Sequence, residues 1–215
     1  MFSNSKLIVN HKLSEMKVLL IVLGVVLVLA GAVQILSMRS QKNIESYPYE
    51  VVKTYDDFEI RNYEASLFTS VKLNTTGYEQ SSGSGFSILA GYIFGNNDRQ
   101  EKIAMTSPVA MSLEDTVTMM FMVPKKWSKE SLPKPNQSSI EIKEEPAKMV
   151  AAISFKGWAN DEKINKYKGA LIEALDAASI PYTNKYFYLG YNPPYELVNR
   201  RNEIIVELEQ DISIP

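Results

Sequence analysis

Two amphipathic helical stripes, each set between pairs of strand-like segments, restrict this chain to few arrangements. Phe86, Leu89, Ala90, Ile93 and Phe94 recur at i, i+3, i+4, i+7 and i+8, the spacing of one helix face. Ser84 reads as the N-cap and Gly95 as the stop. The second stripe is Ile164, Tyr167, Leu171, Ala174, Leu175 and Ala178. Asn160 caps it, and Asp161 and Glu162 fill its first turn, where the helix dipole favours negative charge. Around these helices, residues 49–55 and 58–73 read as strands joined at Asp56-Asp57, and Glu59 and Arg61 fall on a wet face. Residues 109–113 and 117–123 form a hairpin about Glu114-Asp115. Residues 140–145 and 149–156 break at Pro146, and residues 186–191 and 204–208 complete the set. Two successive units of two strands, one helix and two strands predict an α+β fold. The expected form is a distorted eight-stranded antiparallel β-barrel or curved sheet, flanked by two helices in pseudo-two-fold arrangement.

Ahead of this domain, Val18 to Leu36 is apolar apart from small residues and Gln34. No polar stripe marks a buried core helix, and the run approaches the roughly 20 residues that cross a bilayer. A signal peptide begun at Met16-Lys17 and cut after Ala32 competes with this reading, but the apolar run continues to Leu36 and suits an uncleaved anchor. The expected organisation is a tail over 1–17, a transmembrane or signal-anchor helix over 18–37, a linker over 38–46 and a domain over 47–210. Lys6, Lys12 and Lys17 precede the run and Arg39 and Lys42 follow it. The positive-inside bias then leaves the N-terminus cytoplasmic and the domain periplasmic or otherwise outside, as in a single-pass membrane protein. The chain has no cysteine, which excludes disulfides and an acylated-cysteine anchor.

Of the 23 basic and 25 acidic residues, Lys6, Lys12, Lys17, Arg39 and Glu15 precede residue 40, so the remainder carries a net charge near −5. An acidic domain without a Lys/Arg stripe repels phosphate, which makes nucleic acid an unsuitable partner.

Five ordered segments carry a family resemblance. They are Tyr49-Glu-Val-Val52, Lys102-Ile-Ala-Met-Thr-Ser-Pro-Val109, Met120-Phe-Met-Val-Pro124, Gly157-Trp158 and Tyr191-Asn-Pro-Pro-Tyr-Glu-Leu-Val-Asn-Arg-Arg-Asn-Glu203. Together, from about Tyr47 to Leu208, they resemble the SOUL haem-binding protein family. The resemblance implies the same curved sheet with two helices, and haem or a related tetrapyrrole as a non-covalent ligand.

Chemistry is limited by what the chain lacks. His11 is the single histidine and precedes the apolar run, so Ser/His/Asp and Cys/His catalysis and imidazole or thiolate zinc sites are unavailable to the domain. A haem iron could be met only by Met, Tyr or no protein ligand. This departs from family members for which a histidine ligand has been proposed. Met105, Met111, Met119, Met120 and Met122 cluster within a short stretch, with Met120 and Met122 on one strand face and Met119 and Phe121 on the other. They are read as core filler, as an adaptable pocket lining or as thioether ligands. Lys102, Arg200 and Arg201 either meet tetrapyrrole propionates or pair with Glu196 and Glu203. Tyr188, Tyr191 and Tyr195 either stack on a macrocycle or flank a Pro-Pro turn. Trp127 and Trp158 read as core plugs. The acid pairs Asp56-Asp57, Glu114-Asp115, Glu144-Glu145 and Asp161-Glu162 lie in turns or at a helix start, outside the apolar runs that raise a pKa.

The leading reading is therefore a non-enzymatic binder that sequesters or carries haem or another tetrapyrrole. Its apolar cleft lies between the Phe86 to Phe94 helix and the Met-rich strands, lined by Phe86, Leu89, Ala90, Ile93, Phe94, Met105, Met111, Met120 and Met122, with Lys102, Arg200 and Arg201 at the rim. No catalytic or metal-ligating residue is assigned. A second reading follows from the fold's similarity to effector-binding domains of bacterial drug-responsive regulators: a sensor of lipophilic cations beside Glu79, Glu101 or Glu203. A third is a membrane-anchored interaction domain without a ligand.

Overall fold

The computed structural model describes residues 16–29, 31, 44–114, 116–193 and 196–209, and the chain divides into two units, Met1–Asn43 and Ile44–Pro215. In the first unit residues 16–29 form helix α1, with every side chain exposed. The expected membrane span, and with it the single-pass extracytoplasmic placement, is overturned. Among the described residues no helix is long and apolar enough to cross a membrane. Residues 30 and 32–43, which carry the rest of the expected span and most of the expected linker, and His11 lie outside the described residues.

The second unit runs β1 (Tyr49–Thr54), β2 (Glu59–Tyr63), β3 (Ser66–Lys72), α2 (Tyr78–Ile93), β4 (Val109–Ser112), β5 (Thr118–Met122), β6 (Ile140–Glu145), β7 (Lys148–Lys156), α3 (Asp161–Ala177), β8 (Tyr182–Gly190) and β9 (Arg201–Leu208). All nine strands join one antiparallel sheet in the order β1-β2-β7-β9-β8-β4-β5-β3-β6. The count exceeds the expected eight because the stretch 58–73 is two strands. β2 lies second in the order and β3 eighth, yet only Glu64 and Ala65 connect them. In a flat sheet six strand spacings would separate them by about 29 Å, whereas that link spans about 11 Å, so the sheet curls into a half-barrel. Apart from the extra edge strand β1, the order reads identically when β2, β3, β4 and β5 are exchanged with β6, β7, β8 and β9. Each helix also follows the second strand of its unit.

Strand alternation separates two cores. On the helix face Ile60, Val71, Met111, Met119, Phe121, Ile153, Phe155, Tyr188, Ile204 and Val206 pack under α2 and α3. Inside the curl, Tyr63, Phe68, Ala110, Met120, Met122, Val150, Ala152, Phe187, Leu189 and Ile205 form a second cluster, closed by Tyr47.

Helix α2 begins at Tyr78, two turns before the expected cap at Ser84. Its N-cap is Gly77 (φ +85°), which supplies no side chain. Asp161 replaces that cap from the other helix, accepting from the Tyr78 N–H at 2.5 Å and the Glu79 N–H at 3.4 Å, while Glu79 accepts from the Asp161 N–H at 3.3 Å. This reciprocal arrangement satisfies N-terminal donors of both helices and offsets the poor helix propensity of Ser81 to Gly85. α3 follows expectation: the Asn160 side chain accepts from the Lys163 N–H at 2.9 Å.

Candidate functional site: the start of α3 and the β8–β9 loop

The twelve expected ligand-lining residues do not converge. Leu89, Ala90 and Ile93 are buried against the sheet, Phe86 is half-buried with its ring 5.4 Å from Phe121, and Phe94 is 61% exposed. At Gly85 α2 lies directly against the strands. A Cβ built on Gly85 would lie 2.8 Å from Leu73 Cδ1 and 3.2 Å from Met119. Met111 is buried on this face, Met105 is half-buried and Lys102 is exposed. Met120 and Met122 lie on the opposite face, in the closed inner cluster, so they cannot share a cleft with α2. A depression of about 330 Å³ at the start of α2 is lined by Leu73, Asn74, Thr75, Thr76, Gln80 and Thr116, a polar set unsuited to a flat apolar guest.

The two arginines also separate. Arg201 belongs to an ion cluster inside the curl. Glu203, fully buried, accepts from Arg61 Nη1 at 2.8 Å and Nη2 at 3.1 Å, Tyr191 OH at 2.7 Å, Ser154 Oγ at 2.9 Å and Arg201 Nη2 at 2.6 Å. Burial alone would raise this carboxyl, but the donors and charge of Arg61, the Tyr191 hydroxyl and the Arg201 charge outweigh it and hold the pKa at about 2. Arg61 stacks 4.4 Å from the Tyr49 ring centroid and Arg201 4.2 Å from that of Tyr191. Arg61, expected on a wet face, is buried because the curl closes over it. Glu145, expected in a solvated turn, is buried as well. Burial pushes its pKa up, yet Lys143 and Lys148 more than offset this and leave it lowered.

Arg200 is different. It is 9% exposed, and its guanidinium donates to Pro193 O at 2.8 Å, Glu196 O at 2.7 Å and Asn192 O at 3.2 Å. Among the described residues Nε has no hydrogen-bond partner and no carboxylate reaches ion-pair distance. Its charge therefore rests on backbone dipoles. Its Cζ lies 4.1 Å from the ring centroid of Trp158, which is 53% exposed rather than the expected core plug. The local chain explains this. Gly157 turns with φ +86°, Asn202 Nδ2 donates to its carbonyl at 2.8 Å, and Tyr188 OH donates to Asn202 Oδ1 at 2.7 Å. Trp158 is thereby placed ahead of α3, facing outward over Arg200.

The loop joining β8 to β9 adds Leu197 at 62% and Val198 at 54% exposure. It is held by Asn192, whose side chain donates to Glu196 Oε2 at 2.8 Å and accepts from the Arg201 N–H at 2.6 Å. Pro194 and Tyr195 lie outside the described residues. Tyr188 and Tyr78 meet edge to face at 4.9 Å close by. Burial pushes the Tyr188 hydroxyl well up, Tyr78 adds to this and the Arg200 charge opposes it. The exposed indole of Trp158 thus covers the buried Arg200, and the loop that carries Arg200 also exposes the aliphatic side chains of Leu197 and Val198.

A model described as SOUL heme-binding protein matches residues 44–207. The chain belongs to the SOUL heme-binding protein family. Among curated relatives, heme-binding protein 2 of Mus musculus is 26% identical over 192 residues, covering 85% of this chain and 90% of that protein. Heme-binding protein 1 of Sus scrofa is 25% identical over 174 residues, covering 75% and 92%. Among solved structures, the C-terminal domain of EcmrR aligns with a TM-score of 0.57 at 11% identity, covering 75% of this chain and 98% of that one. A hydrolase from Listeria innocua aligns at 0.50 and 9%, covering 74% and 94%. These two likenesses concern the fold alone. For the cation reading, each acid already has a local partner: Glu203 as above, Glu79 with the Asp161 N–H, and Glu101 with Arg99 at 3.5 Å. Arg200 stands out in the sequence, but its pairing with Trp158 does not. The adjacency of Gly157-Trp158 to a helix start was the available signal.

Proposed function

We propose that this SOUL-family chain binds haem or a related tetrapyrrole, without turnover, at the surface formed by Trp158, Arg200, Leu197 and Val198, and so sequesters or carries it. Family membership over residues 44–207 carries the ligand class, and the pairing of Arg200 with the exposed Trp158 carries the location. A flat macrocycle gains by covering the indole and the two aliphatic side chains, at about 25 cal/mol per Å² of apolar surface removed from water. A peripheral carboxylate supplies the anion that Arg200 lacks. When bound, the tetrapyrrole supplies any redox or spectroscopic property itself. The chain's part is to stack on it, orient it and neutralise its carboxylate. His11 is the single histidine and there is no cysteine, so iron ligation by a domain imidazole or thiolate plays no part.

The test is titration of the full chain and of Trp158→Leu with ferric haem and with free-base protoporphyrin. We expect saturable binding of both by the wild type, and about tenfold weaker binding by the variant, equivalent to about 1.4 kcal/mol. Equal affinity of variant and wild type would move the ligand elsewhere. Absence of saturable binding would remove the function.

A further inference from the structure

The first turn of α3 holds a cation where helix electrostatics disfavour one. Asp161 and Glu162 open the helix and suit its dipole, whereas Lys163 behind them opposes it. The backbone there is fixed, since the Lys163 N–H donates to the Asn160 cap at 2.9 Å. The half-buried side chain folds back over the turn ahead of the helix, where Nζ donates to Lys156 O at 2.9 Å and Trp158 O at 3.4 Å. Between those two carbonyls lies Gly157, with φ +86°, and a Cβ built on it would sit 3.1 Å from Nζ and crowd the ammonium. An ammonium has three donors, and among the described residues only these two acceptors meet it. No carboxylate of the described residues comes within ion-pair distance. Asp161, in the same turn, is committed to the Tyr78 and Glu79 amides of α2. Carbonyl dipoles therefore hold the charge of Lys163 in place without neutralising it.

We propose that Lys163 reads the acid groups of the ligand, so that the surface at Trp158 takes tetrapyrroles bearing a free peripheral carboxylate and discriminates against their esters. The inference rests on the tetrapyrrole reading and names the ligand class of that same site. Trp158 O, 3.4 Å from Nζ, belongs to the residue whose indole the macrocycle covers, which puts the ammonium at the rim of the stacking surface. A carboxylate on a short flexible side chain at the edge of the macrocycle reaches the remaining N–H. Arg200 is 9% exposed and lies against the indole, so Lys163 is the more accessible of the two cations and the one that a carboxylate arriving from solvent meets first. An ester keeps the apolar ring and its stacking but brings no charge, and forgoes the charge-assisted hydrogen bond. Because the ammonium is already held over Gly157, little side-chain freedom is lost when the acid arrives.

The test titrates the full-length wild type, Lys163→Gln and Lys166→Gln with free-base protoporphyrin and with its dimethyl ester, in one dilute detergent buffer, following porphyrin fluorescence. The wild type is expected to bind the free acid about tenfold more tightly than the ester. Lys163→Gln, which keeps the backbone N–H that Asn160 caps, should lose about that tenfold on the free acid and nothing on the ester. Lys166→Gln removes the same charge from an exposed position of α3 and should leave both affinities in place. Equal binding of acid and ester by the wild type overturns the proposal, a comparison that needs no variant to fold. So does a Lys163→Gln variant that weakens both ligands alike, or a Lys166→Gln variant that weakens the acid as much as Lys163→Gln does. In each of those outcomes porphyrin still binds and the tetrapyrrole reading stands, whereas a wild type that saturates with neither ligand ends both.

Discussion

At the residue scale the decisive group is Glu203. Its carboxylate takes donors from Arg61, Ser154, Tyr191 and Arg201 with no exposure to water, and its pKa falls from 4.5 to about 2. A carboxyl whose folded pKa is depressed stabilises the fold above its unfolded pKa and loses that contribution as it protonates. The effect is complete above about pH 4.5 and vanishes as pH falls toward 2. Urea unfolding across this window should show stability falling with acid in the wild type and a flatter profile in Glu203→Gln. A parallel profile in the variant would show that other carboxylates control acid sensitivity. At neutral pH the same variant leaves buried Arg61 with only the part-exposed Glu59, 2.8 Å away, as its counter-ion and is expected to lose about 3 kcal/mol. Little of this cluster is legible in the sequence. Glu203 stands out only as an acid beside Arg-Arg, and Arg61 sits in an alternating strand that reads as half wet. Its burial depends on curvature, which arises from strand order, and local pattern does not encode strand order.

At the element scale α2 illustrates how tertiary contacts override propensity. The residues from Tyr78 to Gly85 include three serines and two glycines and give no apolar stripe, so the helix reads as beginning near Ser84. In the fold the N-terminus of α2 meets that of α3, and Asp161 does what Gly77 cannot. Asp161→Ala is expected to cost about 1 kcal/mol, the usual cost of losing a cap. Hydrogen exchange should quicken at the Tyr78 and Glu79 amides, a signature belonging to the other helix. Asn160→Ala, which removes the cap α3 makes for itself, should quicken Lys163 and leave Tyr78 alone. Matching exchange patterns in the two variants would mean the cross-helix contact is incidental. α3 was legible because its cap and stripe are local in sequence. The split of 58–73 was not, since Glu64-Ala65 carries no turn signal and the break reflects two strands pairing at opposite ends of the sheet.

At the scale of the whole molecule, the sheet sorts the methionines by face, and this determines which of them a ligand can meet. Met120 and Met122 alternate with Met119 and Phe121, so each pair belongs to a different core, and all four are nearly inaccessible. Met120 and Met122 touch Phe68 and the Tyr47 side of the cluster, away from Trp158 and Arg200. Truncation there removes packing that the curl needs, and Met122→Ala is expected to cost about 2–5 kcal/mol. It should not move the absorption maximum of bound ferric haem, because a thioether sealed inside the curl does not reach iron at the outer surface. His11→Ala should also leave that maximum in place. Haem and free-base porphyrin should bind within about threefold of each other, since stacking and a carboxylate contact do not distinguish an iron centre from two pyrrole protons. A Met122→Ala or His11→Ala variant that keeps its fold but shifts the haem spectrum, alongside porphyrin bound much more weakly than haem, would show that the metal is held by a bond after all.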